Sequence, residues 1–146
     1  MKDPTFFIQS ELYRMLHTNL VVDSNTVPVY SLEQPPSEDD GLYVNLVTSY
    51  IVPGKSKDKF RTAIRFQIDV INQLLGNELS TQKVENCCNQ ITEIVIPTTS
   101  TNGFLENADF GIIKCELFDT RYLNTRNETN YIVRKIIIFE ILTRQK

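Results

Sequence analysis

The sequence has no tryptophan, one histidine, five glycines and three cysteines in 146 residues, and each scarcity removes a class of chemistry. His17 is the only imidazole, and no Ser–His–Asp or Cys–His arrangement forms around it; at the end of a helix it reads as an ordinary C-terminal histidine favoured by the helix dipole. The glycines stand singly, which excludes a Gly-rich loop that cradles phosphate. Cys87, Cys88 and Cys115 are odd in number, two of them adjacent and none at C-x-x-C spacing. Neither a disulfide framework nor a zinc site is indicated, and a reducing compartment fits. No apolar run approaches the roughly 18 residues of a membrane span, and Asp3 interrupts any signal-peptide pattern, so the chain is read as soluble, unexported and without a membrane partner. Asn127-Glu128-Thr129 fits the N-glycosylation pattern, but nothing else implies secretion. Fifteen Lys+Arg against eighteen Asp+Glu give a net charge of -3. That balance excludes a surface built throughout to neutralise nucleic-acid phosphates, while a local basic patch stays open.

A hydrophobic content of 41% and a charged content of 23% are those of a folding chain. At this length roughly 68–70% of the unfolded surface can be buried, so residues 1–146 are expected to form a single domain. Asp3-Pro4 is a helix start, and Ile8, Leu12, Met15 and Leu16 fall on one face, predicting a helix over residues 4–18. Phe6 and Phe7 lie beside that stripe; a thick core contact is favoured over a partner-binding face. Val27–Ser31 reads as a short extended piece. Residues 33–41, with two prolines and the acids Glu38, Asp39 and Asp40, read as a solvated loop without calcium-loop spacing.

Tyr43–Val52 is rich in β-branched and aromatic residues and stops at Pro53-Gly54. Phe60, Thr62, Ile64, Phe66, Ile68 and Val70 then alternate with Arg61, Ala63, Arg65, Gln67 and Asp69, predicting a long strand with one face buried. Between them, Lys55, Lys57 and Lys59 form a basic loop, a candidate contact with a neighbouring subunit's acids or with DNA. Val84, Cys87, Cys88, Ile91, Ile94 and Val95 recur at three-and-four spacing before Pro97, predicting a second helix over residues 81–95, with the thiols acting as small core hydrophobes.

Residues 98–109 read as a polar connection. Phe110–Phe118 and Val133–Thr143 are then predicted to pair antiparallel, with Arg121-Tyr122 and Asn130-Tyr131 extending the ladder. Residues 119–131 read as a long hairpin tip that the core does not require. Its Arg121, Tyr122, Arg126 and Tyr131 are residue types that dominate binding hot spots, and they are candidate contacts with a subunit or docking partner. The closing strand is apolar on both faces: Ile136, Ile138 and Leu142 on one, Ile137, Phe139 and Ile141 on the other. Two arrangements compete. The helices divide between the faces, or both lie on one side and the other face, with Phe139 as its candidate contact, awaits a neighbour.

The expected class is α+β: a mostly antiparallel sheet of four to five strands with two helices, in the order helix-strand-strand-strand-helix-strand-strand. No cofactor or metal is indicated and no enzyme activity is expected. Asp69, Asp109, Glu116 and Lys114 are imaginable as a metal-dependent nuclease site, but Lys114 and Glu116 alternate with apolar neighbours as a solvated strand face does. A small α+β adaptor without a virion role is the other alternative.

The opening Phe6-Phe7-Ile8-Gln9-Ser10-Glu11-Leu12-Tyr13-Arg14-Met15-Leu16 helix, then Val27-Pro28-Val29-Tyr30 and a proline-bearing loop into Tyr43-Val44, resembles the start of bacteriophage tail-completion (tail-terminator, head–tail joining) proteins. The later order also resembles that family: an alternating strand, a helix and a closing hairpin. The resemblance implies a non-enzymatic structural protein at the head–tail interface of a virion, made in the host cytoplasm. It also implies a homo-oligomeric ring that joins portal or connector proteins to tail proteins, with non-specific DNA contact in its lumen. The long 119–131 and 53–59 segments depart from the family pattern.

Overall fold

The computed structural model describes residues 3–31, 41–52, 61–75, 81–98, 103–126 and 130–146. Helix α1 spans Thr5–Leu16, one residue later than Asp3-Pro4 capping predicts. Pro4 occupies the N-cap position, and the Asp3 carboxylate reaches past it to accept from the Thr5 amide at 2.8 Å. The stripe predicted to be apolar, Ile8, Leu12, Met15 and Leu16, is buried. His17 closes the helix, its amide donating to Tyr13 O and its ring stacking on Tyr13 at 4.7 Å.

A ribbon absent from the sequence reading follows: β1 (Val21–Val22) pairs with β2 (Asn25–Thr26). Its turn residues, Asp23 and Ser24, both take positive φ, 51° and 67°, the primed-turn geometry that matches strand twist. The remaining strands are β3 (Val29–Ser31), β4 (Gly41–Ile51), β5 (Arg61–Leu75), β6 (Phe110–Arg126) and β7 (Asn130–Gln145), with α2 (Thr81–Val95) between β5 and β6. They form one five-stranded sheet in the order β3-β4-β5-β7-β6. The α+β class and the two helices stand. Strand number and order differ from expectation, because the ribbon adds two strands and β3 joins β4 in parallel, which makes the sheet mixed.

Registers assign every side chain to a face. Val44 opposes Val70, Leu46 opposes Ile68, and Ile64, Phe66 and Ile68 oppose Ile141, Phe139 and Ile137. These residues share one core with α1 and α2. Both helices therefore cover the same face, and no described helix lies on the other. This corrects the place given to Phe139: its side chain is 0% exposed, inside that core, and reaches no neighbour. The face turned away from the helices carries Ile136, Ile138 and Leu142 instead.

The 119–131 reading is corrected too. Pairing runs unbroken to Arg126↔Tyr131, and β5 accompanies it to Leu75↔Asn130, so this is the end of a three-stranded ladder and not a projecting tip. Helix α2 sits on that end through one polar cluster. Glu85 accepts from Lys135 Nζ at 2.6 Å and from Tyr122 Oη, and the ammonium lies 5.1 Å from the Tyr122 ring centre. Nor is the 98–109 connection wholly polar: Phe104 is buried, and Gly103 passes so close to α2 that a Cβ would stand 2.4 Å from Ile94 O. Cys87, Cys88 and Cys115 are buried, and burial pushes each thiol up to about 12.

These contacts predict three outcomes. Phe139→Ala costs roughly 3–5 kcal/mol in urea unfolding, and Phe139→Asp leaves the chain unfolded by circular dichroism; a folded Phe139→Asp would contradict the placement of the core. All three thiols resist alkylation at pH 8 until denaturant is added. Hydrogen bonds from Lys135 and Tyr122 hold the Glu85 carboxyl below its usual range. Its contribution is therefore present above the unfolded-state pKa and lost as pH falls through the lower folded-state value. Glu85→Gln is expected to unfold at lower urea than wild type at pH 7, with the gap closing in acid; a gap independent of pH would contradict it.

Candidate functional site

The surface without a helix layer is built by alternation alone. Along β5 the residues pointing to it are Arg61, Ala63, Arg65, Gln67, Asp69 and Ile71, the polar partners of the sequence alternation. On β7 they are Arg134, Ile136, Ile138, Glu140 and Leu142. The apolar centre is sealed by its neighbours: Ile138 is only 7% exposed although no described helix or strand covers it. Arg65 reaches across strands to Glu140 at 3.2 Å, hydrogen-bonds Tyr50 and lays its guanidinium 3.7 Å above the Phe118 ring.

Arg134 pairs with Asp69, itself buried and also accepting from Gln67 at 2.9 Å. A buried carboxylate is tolerated because it is paired and hydrogen-bonded. Asn45 Oδ1 and Arg134 Nε, on the same face, are buried without a hydrogen-bond partner. Around this lattice lie Tyr50, Phe118 and Leu123, the last two 46% exposed. The face is thus an ordered, largely charge-paired plate with aromatic and aliphatic groups at its margin.

Strand β6 forms the long outer edge of the sheet, while the opposite edge is the three-residue β3. Two register shifts, between Ile112 and Lys114 and between Leu117 and Asp119, break β6. Bulges and charged side chains such as Lys114, Glu116, Asp119 and Arg121 are what edge strands use against uncontrolled pairing.

The candidate residues fall in different places. Arg121 lies on the plate, 3.4 Å from Asp119, whereas Tyr122 points to the helix side and is occupied by Glu85. Arg126 and Tyr131 oppose each other at the last rung, and their side chains lie outside what is described. Lys55, Lys57 and Lys59 also lie outside the described residues. The sequence reading places Phe118 at the end of a strand and Leu123 in the hairpin tip, and marks neither as a contact. Their signal was the continuing alternation of Asp119, Arg121 and Leu123 past the bulge.

The imagined nuclease residues do not converge. Asp69 stands opposite Ile136 and Glu116 opposite Glu140, four residues apart on β7, roughly 13 Å at strand rise. Lys114 pairs with Glu116 at 3.3 Å. Among the described residues no group of three or more His, Cys, Asp or Glu side chains can hold a metal ion. Tyr122 has its phenol pushed up by burial first and by Glu85 second, which makes it a structural donor.

No protein-family model and no curated protein matches the sequence. Among solved structures, the chain is similar to a chain in the virion of a native gene transfer agent particle, with TM-score 0.67 and 16% identity over 94% of each chain. At that identity the likeness shows a shared fold.

Proposed function

We propose that this protein is a non-enzymatic structural subunit of a phage-like virion, forming a homo-oligomeric ring at the head–tail neck between the portal or connector side and the tail. The observation that carries this reading is the full-length likeness in fold to a chain of the gene transfer agent virion. The neck position draws on the resemblance of the opening helix, the Val29-Tyr30 strand and the Tyr43-Val44 strand to tail-completion proteins. A sheet plated by helices on one side supports it physically, since the other side offers a rigid, polar-patterned surface against which another chain can seat.

In such a ring each subunit meets the next head-to-tail, so two different surfaces of the chain are complementary and the rotation between them closes. The open plate supplies one surface. Phe118 and Leu123 are its anchors, because large side chains at a plate margin lose the most water when a partner covers them. DNA passing a lumen would meet Lys55, Lys57 and Lys59 if those lysines line it.

The Phe118→Ser/Leu123→Ser double variant tests the plate. Both side chains are half exposed, so urea unfolding is expected to change by less than about 1 kcal/mol. Light scattering is expected to show wild type as one multi-chain species and the variant shifted to monomer at equal concentration. A variant that assembles as wild type does would remove the plate from the interface.

A further inference from the structure

The plate carries a recess of about 150 Å³, with Ala63 and Leu142 as its floor and Lys114, Glu116 and Glu140 as its walls. Ala63 opposes Leu142, Leu142 opposes Lys114, and Glu140 opposes Glu116, so all five share the face that no described helix covers. Ala63 is the smallest plate residue of β5, and its short side chain leaves the space. An apolar cavity of about 150 Å³ holds a benzene ring. The carboxylate walls suit the positively polarised edge of such a ring. They are already paired, Glu116 with Lys114 at 3.3 Å and Glu140 with Arg65 at 3.2 Å, so covering them strands no lone charge.

On the next plate rung, Arg61 opposes Arg144 and Arg144 opposes Gly111. Both arginines are exposed, and like charges directly opposite each other are unfavourable in a sheet. Glu106 lies beside this end, shared between Lys146 at 3.0 Å and Arg144, and Lys146 donates its amide to Asp109 O. With the Glu106 and Asp109 carboxylates set against Arg61, Arg144 and Lys146, the described residues keep a positive surplus here. The complement of this end of the plate is an aromatic side chain with a carboxylate beside it.

The start of α1 presents that pair. Phe6 is 80% exposed and stands between two grooves, one lined by Phe7, Leu105 and Phe110 and the other by Gln9, Tyr13 and Ser31. It therefore projects as a knob. Asp3 lies three residues before it and lines the first of these grooves. Hydrogen bonds from Thr5 hold the Asp3 carboxyl below its usual range, so it is ionised at neutral pH. Arg14 pairs with Glu11 at 2.8 Å, which leaves the Asp3 charge in surplus among the described residues of this region.

We infer that Phe6 of one copy enters the Ala63–Leu142 recess of the next, with Asp3 set against Arg61 and Arg144. The inference rests on the ring reading above and supplies the second of its two complementary surfaces. The two sites cannot meet within one chain, because α1 packs on one face of the sheet and the recess opens on the other. A second copy brings them together, and the contact is head-to-tail because knob and recess are different surfaces.

Two full-length variants test this. Phe6→Ser removes the knob, and Ala63→Leu fills the recess. Arg61→Glu serves as a second recess variant should Ala63→Leu lose its native circular dichroism. In sedimentation velocity each variant alone is expected to need at least about tenfold more protein than wild type to associate. An equimolar mixture of knob and recess variants retains one good recess and one good knob, so it is expected to yield a two-chain species and nothing larger. Variants that assemble as wild type does overturn this contact while leaving the ring reading intact. Variants that fail alone and stay single-chain when mixed also overturn it. A wild type that remains monomeric at the highest concentrations overturns the contact and the ring reading together.

Discussion

One constraint organises this molecule: a five-stranded sheet receives both of its described helices on one face. The pairing of β5 with β7 over their full length sets it, because that register puts Ile64, Phe66 and Ile68 beside Ile141, Phe139 and Ile137. Once those six face the same way, α1 and α2 have only one apolar surface to cover. The other face, which no described helix covers, carries cross-strand charge pairs laid over a narrow apolar centre. Arg134 on Asp69 and Arg65 on Glu140 do locally what a second helix layer would do elsewhere.

This arrangement has consequences for function. A plate of paired charges discriminates among partners better than it binds them, because each pair must be matched or left undisturbed when covered. Affinity then falls to the few exposed apolar groups at its margin. Among the described residues the thiols are buried in the core, the histidine stacks on a tyrosine, and Asp69, Lys114 and Glu116 are spread along strands.

Much of this was legible in the sequence, for reasons that differ by element. The alternation of Phe60–Val70 and the three-and-four spacing of Val84–Val95 are direct consequences of strand and helix geometry: α2 lies where it was expected, and β5 takes up the alternation from Arg61 and runs on to Leu75, with Phe60 outside the described residues. The ribbon at residues 21–26 was not legible, because Asp23-Ser24 is a weaker primed-turn signal than Asn-Gly. The far part of β6 read as a hairpin tip because Asn124, Thr125 and Arg126 are a polar run, yet Asn124 and Thr125 pair with Val133 and Ile132 on β7, and Tyr122 is held by Glu85. For β7, periodicity tells which residues share a face but not which face the helices take. Phe139 was therefore placed on the wrong side, and only the location of α1 and α2 decides it.

The sheet face that no described helix covers is what the ring account builds on. Heterologous contacts between identical chains either close on themselves or grow without limit, and a structural subunit of a virion neck needs closure. Native mass spectrometry of the wild-type protein tests this most directly. The account predicts one discrete assembly whose mass is a whole-number multiple of 16.9 kDa. A monomer at every concentration, or an open ladder of sizes, would contradict it.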